Sequence, residues 1–149
     1  MKLFLAIVLA TLIIISLLLC YIRFSRSDQY LWHIDPELVL QIKKKNSFLL
    51  NSKSISYPYY PYSADELYSR LITILDNENC KRLFGNIEDR LITFICRSKI
   101  IGFPDYVSVR FIEYEGGKSS ISVFSRSRFG VYDFGKNKNR VLQWLEQIK

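Results

Sequence analysis

From Leu3 to Ile22 no charged side chain interrupts the chain, and only Thr11, Ser16, Cys20 and Tyr21 depart from pure hydrocarbon. A helix rises ~1.5 Å per residue, so this run matches the roughly 30 Å hydrocarbon core of a bilayer. Each aliphatic residue adds roughly −0.3 to −0.6 kcal/mol to insertion, and the sum favours a transmembrane helix. Residues 1–22 therefore read as a single-pass anchor. The run exceeds the ~7–15 residues of a secretory h-region. Arg23-Phe24-Ser25-Arg26 is a poor cleavage sequence, and Leu19 stands where a lipoprotein site before Cys20 expects a small residue.

Lys2 precedes the run and Arg23 and Arg26 follow it. The positive-inside rule leans, by one charge, toward a soluble part in the cytoplasm. The net charge of +7 suits anionic surfaces such as lipid headgroups. Cys80 and Cys96 are too few for a disulfide framework and read as buried free thiols, not a bridge.

Residues 23–62 read as a juxtamembrane connector. They hold the basic run Lys43-Lys44-Lys45 and the stretch Tyr57-Pro58-Tyr59-Tyr60-Pro61-Tyr62. The prolines bias that stretch toward extended backbone, with tyrosine rings laid over the core. Proline-rich partner recognition is the other reading.

Residues 63–149 read as an α+β domain. Ser63 and Glu66 have capping-box spacing, Tyr62 and Leu67 that of a hydrophobic staple. Leu67, Leu71, Ile74 and Leu75 stripe one helical face, which Asp76-Asn77-Glu78-Asn79 ends. Strands are expected at 83–87, at 91–101 and around Val107, Val109 and Phe111. Gly116-Gly117 turns the chain into a further strand at 121–129. Val141, Leu142, Trp144, Leu145 and Ile148 form a last helical stripe. About four antiparallel strands packed with two helices satisfy every stripe.

Gly102-Phe103-Pro104-Asp105-Tyr106-Val107-Ser108-Val109-Arg110 and the segment from Ser125 to Val141 resemble the signature of a bacterial family, domain of unknown function 1499. Trp32-His33-Ile34-Asp35-Pro36 resembles the opening of its membrane-anchored subgroup, so the resemblance runs from about residue 32. Asn139 departs from the Arg, Lys or Ala expected there. The Cys-Pro-x-Ser-Pro-Asn-Cys opening of other subgroups is absent. The resemblance implies a domain in a bacterial envelope and no activity or cofactor.

Arg126 and Arg128 lie two apart on an expected strand and share a face. Lys136, Lys138 and Arg140 follow at the start of the last helix, where backbone N–H groups favour anions. These five are the candidate ligand site, for a phosphate or carboxylate headgroup or for a membrane-protein partner. Arg97 and Arg110, on neighbouring strands, could extend the basic face. The competing reading is structural. Asp133 pairs with Arg128 or Arg140, Asn137 caps the helix, Gly130 and Gly135 serve tight turns, and Asp105 belongs to the same motif. A docking domain without a ligand stands beside these readings.

Enzyme readings are weaker. His33, the only histidine, has Asp35 two residues away but no nucleophile, which fits a capping or surface contact. An enzyme acting on a lipid or envelope substrate would have to use Asp105, Asp133 and the arginines. No metal-ligand spacing or phosphate loop occurs, and no cofactor is expected. Arginines interleaved with Phe124, Phe129, Tyr132 and Phe134 suit a membrane interface better than nucleic acid.

Overall fold

In the computed structural model, which describes residues 1–42 and 44–149, one five-stranded antiparallel sheet separates two chemically different layers. The strands are β1 (Ser47–Leu50), β2 (Cys80–Asn86), β3 (Leu91–Arg97), β4 (Pro104–Tyr114) and β5 (Lys118–Ser127), in the order β1-β5-β4-β3-β2. The helices are α1 (Lys2–Phe24), the short α2 (Gln29–Trp32), α3 (Ala64–Asp76) and α4 (Lys136–Ile148). A single 3-10 turn spans Pro36–Leu38. The architecture is the expected α+β arrangement. The fifth strand, β1, comes from the segment read as connector and pairs with β5 from Ser47↔Arg126 to Leu50↔Val123.

On one face Ile92 and Phe94 of β3, Val107, Val109 and Phe111 of β4, and Ile121 and Val123 of β5 meet Leu67, Leu71 and Leu75 of α3. Val141, Trp144 and Ile148 of α4 complete this apolar core. Ser63 caps α3, its Oγ accepting from Glu66 N at 3.2 Å. The reciprocal half of the box is replaced by two other contacts. Glu66 pairs with Arg70, and Glu113 of β4 accepts from Ala64 N at 2.8 Å. Tyr60 is buried in the core, and the Tyr62 hydroxyl donates to Ile148 O. Tyr60 and Tyr62 of the aromatic–proline stretch thus cover the core, whereas Tyr57 and Pro58 lie against Ser122 and Ser120 on the sheet's other face. Gly116 and Gly117 both take positive φ, as the β4–β5 turn requires.

The cysteine expectation is overturned: Cys80 and Cys96 form a disulfide. A strand beginning at Leu83, as the alternation predicts, leaves Cys80 outside the sheet. β2 begins at Cys80, directly opposite Cys96, with the two Cα atoms 4.0 Å apart. Directly opposed residues of an antiparallel pair are close enough to bridge. Cys20 is free and exposed on α1.

The other face of the sheet is polar yet buried. Thr93, Ser108, Ser120, Ser122 and Arg126 all point there and are all nearly closed to solvent. Residues 25–41 form a strap that covers most of them, while Tyr57 and Pro58 meet Ser122 and Ser120 at its edge.

Candidate functional site

The strap is held by directed bonds. Ser108 Oγ donates to Trp32 O at 2.9 Å, and His33 Nδ1 lies 2.9 Å from Thr93 Oγ1. Asp35 caps the 3-10 turn through Glu37 N and forms an ion pair with Arg110. Glu37 accepts from Ser122 Oγ and Ser52 Oγ, and Pro36 O accepts from Asn51 Nδ2 at 3.2 Å. Trp32 stacks on Tyr106, with ring centroids 3.9 Å apart. His33 and Glu37 both feel this layer. Burial, then the Arg110 charge, lowers the His33 pKa against the opposing pull of Asp89 and Asp35. Burial would raise Glu37, but hydrogen bonds from Ser122 and Ser52 outweigh it and hold Glu37 below its usual range.

Arg126 is the centre of this layer. It is 8% exposed. Nη2 donates to Trp32 O at 2.6 Å and to Ser108 Oγ at 3.2 Å, and Nη1 donates to Leu31 O at 3.3 Å. Nε is buried without a partner. The guanidinium lies 4.4 Å from the Phe124 ring centroid and 5.3 Å from that of Trp32. Among the described residues no carboxylate contacts it. Burial lowers its pKa to about 10, so it remains charged at neutral pH. Burying a charge without a counter-ion is costly, and carbonyl dipoles and aromatic faces offset that only in part. Arg126 lines a cavity of about 420 Å³ between strap and sheet. Leu31, Trp32, Ile34, Val39 and Phe124 make its wall largely apolar, and exposed Lys44 stands at its rim.

The five expected site residues do not converge. Arg126 and Arg128 do face the same way, but toward the strap: Arg128 Nη1 donates to Arg26 O at 2.6 Å and to the Tyr106 hydroxyl at 3.2 Å. Lys136 and Arg140 lie beside the helix-covered face, both on Asp105 at 3.0 and 2.7 Å. Lys138 is exposed. Arg110 and Arg97 share the strap face, Arg97 donating to Gly102 O at 2.9 Å. Lys43 of the basic run lies outside the described residues.

The acidic and turn residues of the motif are engaged in structure. Asp133 accepts from Gly135 N at 3.1 Å, Asn137 N at 2.9 Å and Asn137 Nδ2 at 2.7 Å. Burial alone would raise its pKa, and these bonds hold it below the usual value. Asn137, fully buried, also reaches Ser125, Ser127 and Asn46 O, tying α4 to β5 and to the chain before β1. Gly130 and Gly135 both take positive φ in the turns around it. Asp105 and Asp133 line one cleft, but one holds two cations and the other caps α4. Among the described residues, no cluster of His, Cys, Asp or Glu has metal-binding geometry.

The strap and the Arg126 cavity were the features sequence reasoning missed. The available signal was the alternation Ser120, Ser122, Phe124, Arg126, which makes one face of β5 polar although the strand lies inside the sheet.

An apolar helix long enough to cross a bilayer is thus followed by an α+β domain whose second sheet face is polar and strapped. The family model described as protein of unknown function (DUF1499) matches residues 35–148, and the chain belongs to that family. The match begins at Asp35, within the strap. No curated protein matches the chain.

Proposed function

We propose that the protein is a single-pass membrane protein whose domain binds a single-chain amphiphile with an anionic head, in the cavity between strap and sheet. The observation that carries this reading is Arg126, a buried cation without a carboxylate partner on the wall of an apolar cavity. An anion there would meet a charge already desolvated, where electrostatic attraction is strongest. The apolar wall would take the chain, and Lys44 would attract the head at the rim.

Oleate, with oleyl alcohol as its neutral counterpart, tests this on the full-length protein in zwitterionic nanodiscs. Oleate is expected to bind in preference to the alcohol. Arg126→Met should weaken oleate by about 10- to 150-fold, the worth of a charged hydrogen bond. Arg126→Lys should retain most of the preference. Equal binding of acid and alcohol by the unaltered protein would overturn the reading.

The disulfide supports placing the domain on the oxidising side of the membrane, against the one-charge lean toward the cytoplasm. Protease added to intact bacterial cells with a permeabilised outer layer should then digest the domain. Protection until the inner membrane is lysed would restore the cytoplasmic placement.

A further inference from the structure

We infer that the turn from Ser98 to Phe103 dips into the bilayer beside α1, so that the domain touches the membrane at a second point. The inference rests on α1 being a membrane span, as proposed above. Its geometry comes from the apolar run itself. All of Leu3–Ile22 is needed to cross the hydrocarbon core, so Ile22 marks the boundary on the domain's side. Leu19 and Ser16 lie three and six residues before it, roughly 5 and 9 Å inside at helical rise. Ile100 and Ile101 face Ser16, Leu19, Cys20 and Arg23 across a narrow cleft. The two isoleucines therefore sit between the levels of Ser16 and Arg23, at the edge of the hydrocarbon. Ile100 is 93% exposed, which is costly in water and favourable in lipid.

Irregular backbone tolerates the hydrocarbon only where its polar groups are satisfied internally. The backbone groups of Lys99, Ile100 and Ile101 have no internal partner among the described residues, so the tip's backbone stays at the wetted interface and only the isoleucine side chains reach inward. Here Ser98 closes the turn on itself: its N–H donates to Phe103 O, its carbonyl accepts from Gly102 N, and its Oγ accepts from Gly102 N and Phe103 N. Arg97 supplies a donor to Gly102 O. Gly102 takes φ +81°, and a Cβ there would stand 3.0 Å from the Arg23 guanidinium, so anchor and turn approach closely. Phe129 packs edge-on to both Tyr21 of α1 and Phe103 of the turn, bracing the two. Arg23 and exposed Lys99 flank the isoleucines, where their long stems reach the headgroup phosphates.

The test uses the full-length protein in phosphatidylcholine–phosphatidylglycerol vesicles. A bimane label is placed on native Cys20, on Cys20→Ser/Ile100→Cys and, as a water-exposed reference in the β4–β5 hairpin, on Cys20→Ser/Lys118→Cys. Iodide reports access from water, and a nitroxide on the lipid chain reports access from the hydrocarbon. The expected result is a position-100 label shielded from iodide and quenched by lipid nitroxide to the degree seen at Cys20. A position-100 label as open to iodide as position 118, with Cys20 shielded, overturns the inference and leaves the anchor intact. A Cys20 label open to iodide overturns the anchor reading and this inference with it. Ile101→Cys in the same background is read alongside, so that a single perturbed site does not decide the outcome.

Discussion

The two faces of the sheet are covered by opposite chemistries. On the α3–α4 face, cover is held by apolar side chains that interlock without directional bonds, and Leu67, Leu71 and Ile92 are wholly excluded from solvent. On the strap face, cover is held by single hydrogen bonds, one ion pair and the Trp32–Tyr106 stack over a layer of Ser, Thr and Arg. The hydrophobic face gains free energy with every area buried and fails only as a unit. The strap face gains about 0.5–1.5 kcal/mol per net hydrogen bond and can open one contact at a time. The fold is thus secured on one side, and a segment that can yield lies on the other. A cavity with a charged wall sits under the segment that can yield.

Paired substitutions give this contrast its largest expected effect. Leu71→Ala leaves a void under α3 and should cost about 2–5 kcal/mol, lowering the melting of the whole domain. Asp35→Asn keeps the cap on the 3-10 turn but removes the charge from the Arg110 pair. It should cost about 1–2 kcal/mol, because Arg110 remains partly solvated. The loss should appear as faster amide exchange in residues 27–39, with β3 and β4 still protected. A global melt shift for Asp35→Asn as large as that for Leu71→Ala would mean that the strap is as integral as the helices.

The same contrast explains what was legible in the sequence. The α3–α4 face announces itself by period: Leu67, Leu71 and Leu75 at helical spacing, Val107, Val109 and Phe111 at strand spacing. The Gly116-Gly117 turn and the Ser63 cap are local, and both form. The strap is neither periodic nor local. Most of its bonds to the sheet join residues 60 or more positions apart, as in His33 to Thr93 and Arg126 to Leu31. No pattern within residues 25–41 shows that a polar strand face awaits them. The disulfide was hidden for a smaller reason, since it required β2 to begin three residues early. Strand and helix residues adjacent in sequence need not lie on one face of a sheet. The sheet instead separates Arg126 and Arg128 from Lys136 and Arg140.

The smallest effect, and the sharpest for telling the faces apart, comes from acid. His33 is held below its ordinary pKa of 6.5, first by burial and then by Arg110, and packs on the sheet beside Thr93. The unfolded or detached strap therefore binds a proton more readily than the docked one. Its contribution to docking is complete above the ordinary value and is lost as pH falls through the lowered value. Glu37 and Asp133 are both shifted down within the carboxylate range, so their losses come at lower pH and stay separate. Exchange of strap amides should then quicken below about pH 6.5, after correction for the intrinsic pH dependence of exchange, while amides under α3 and α4 hold. His33→Gln cannot gain the charge and should remove this upper step while leaving the one in the carboxylate range. Arg110 repels the protonated ring and Asp35 and Asp89 attract it, so Asp89→Asn should deepen the step. Loss of protection on both faces together in the upper window would show that the strap does not move independently, and the contrast between the faces would fall with it.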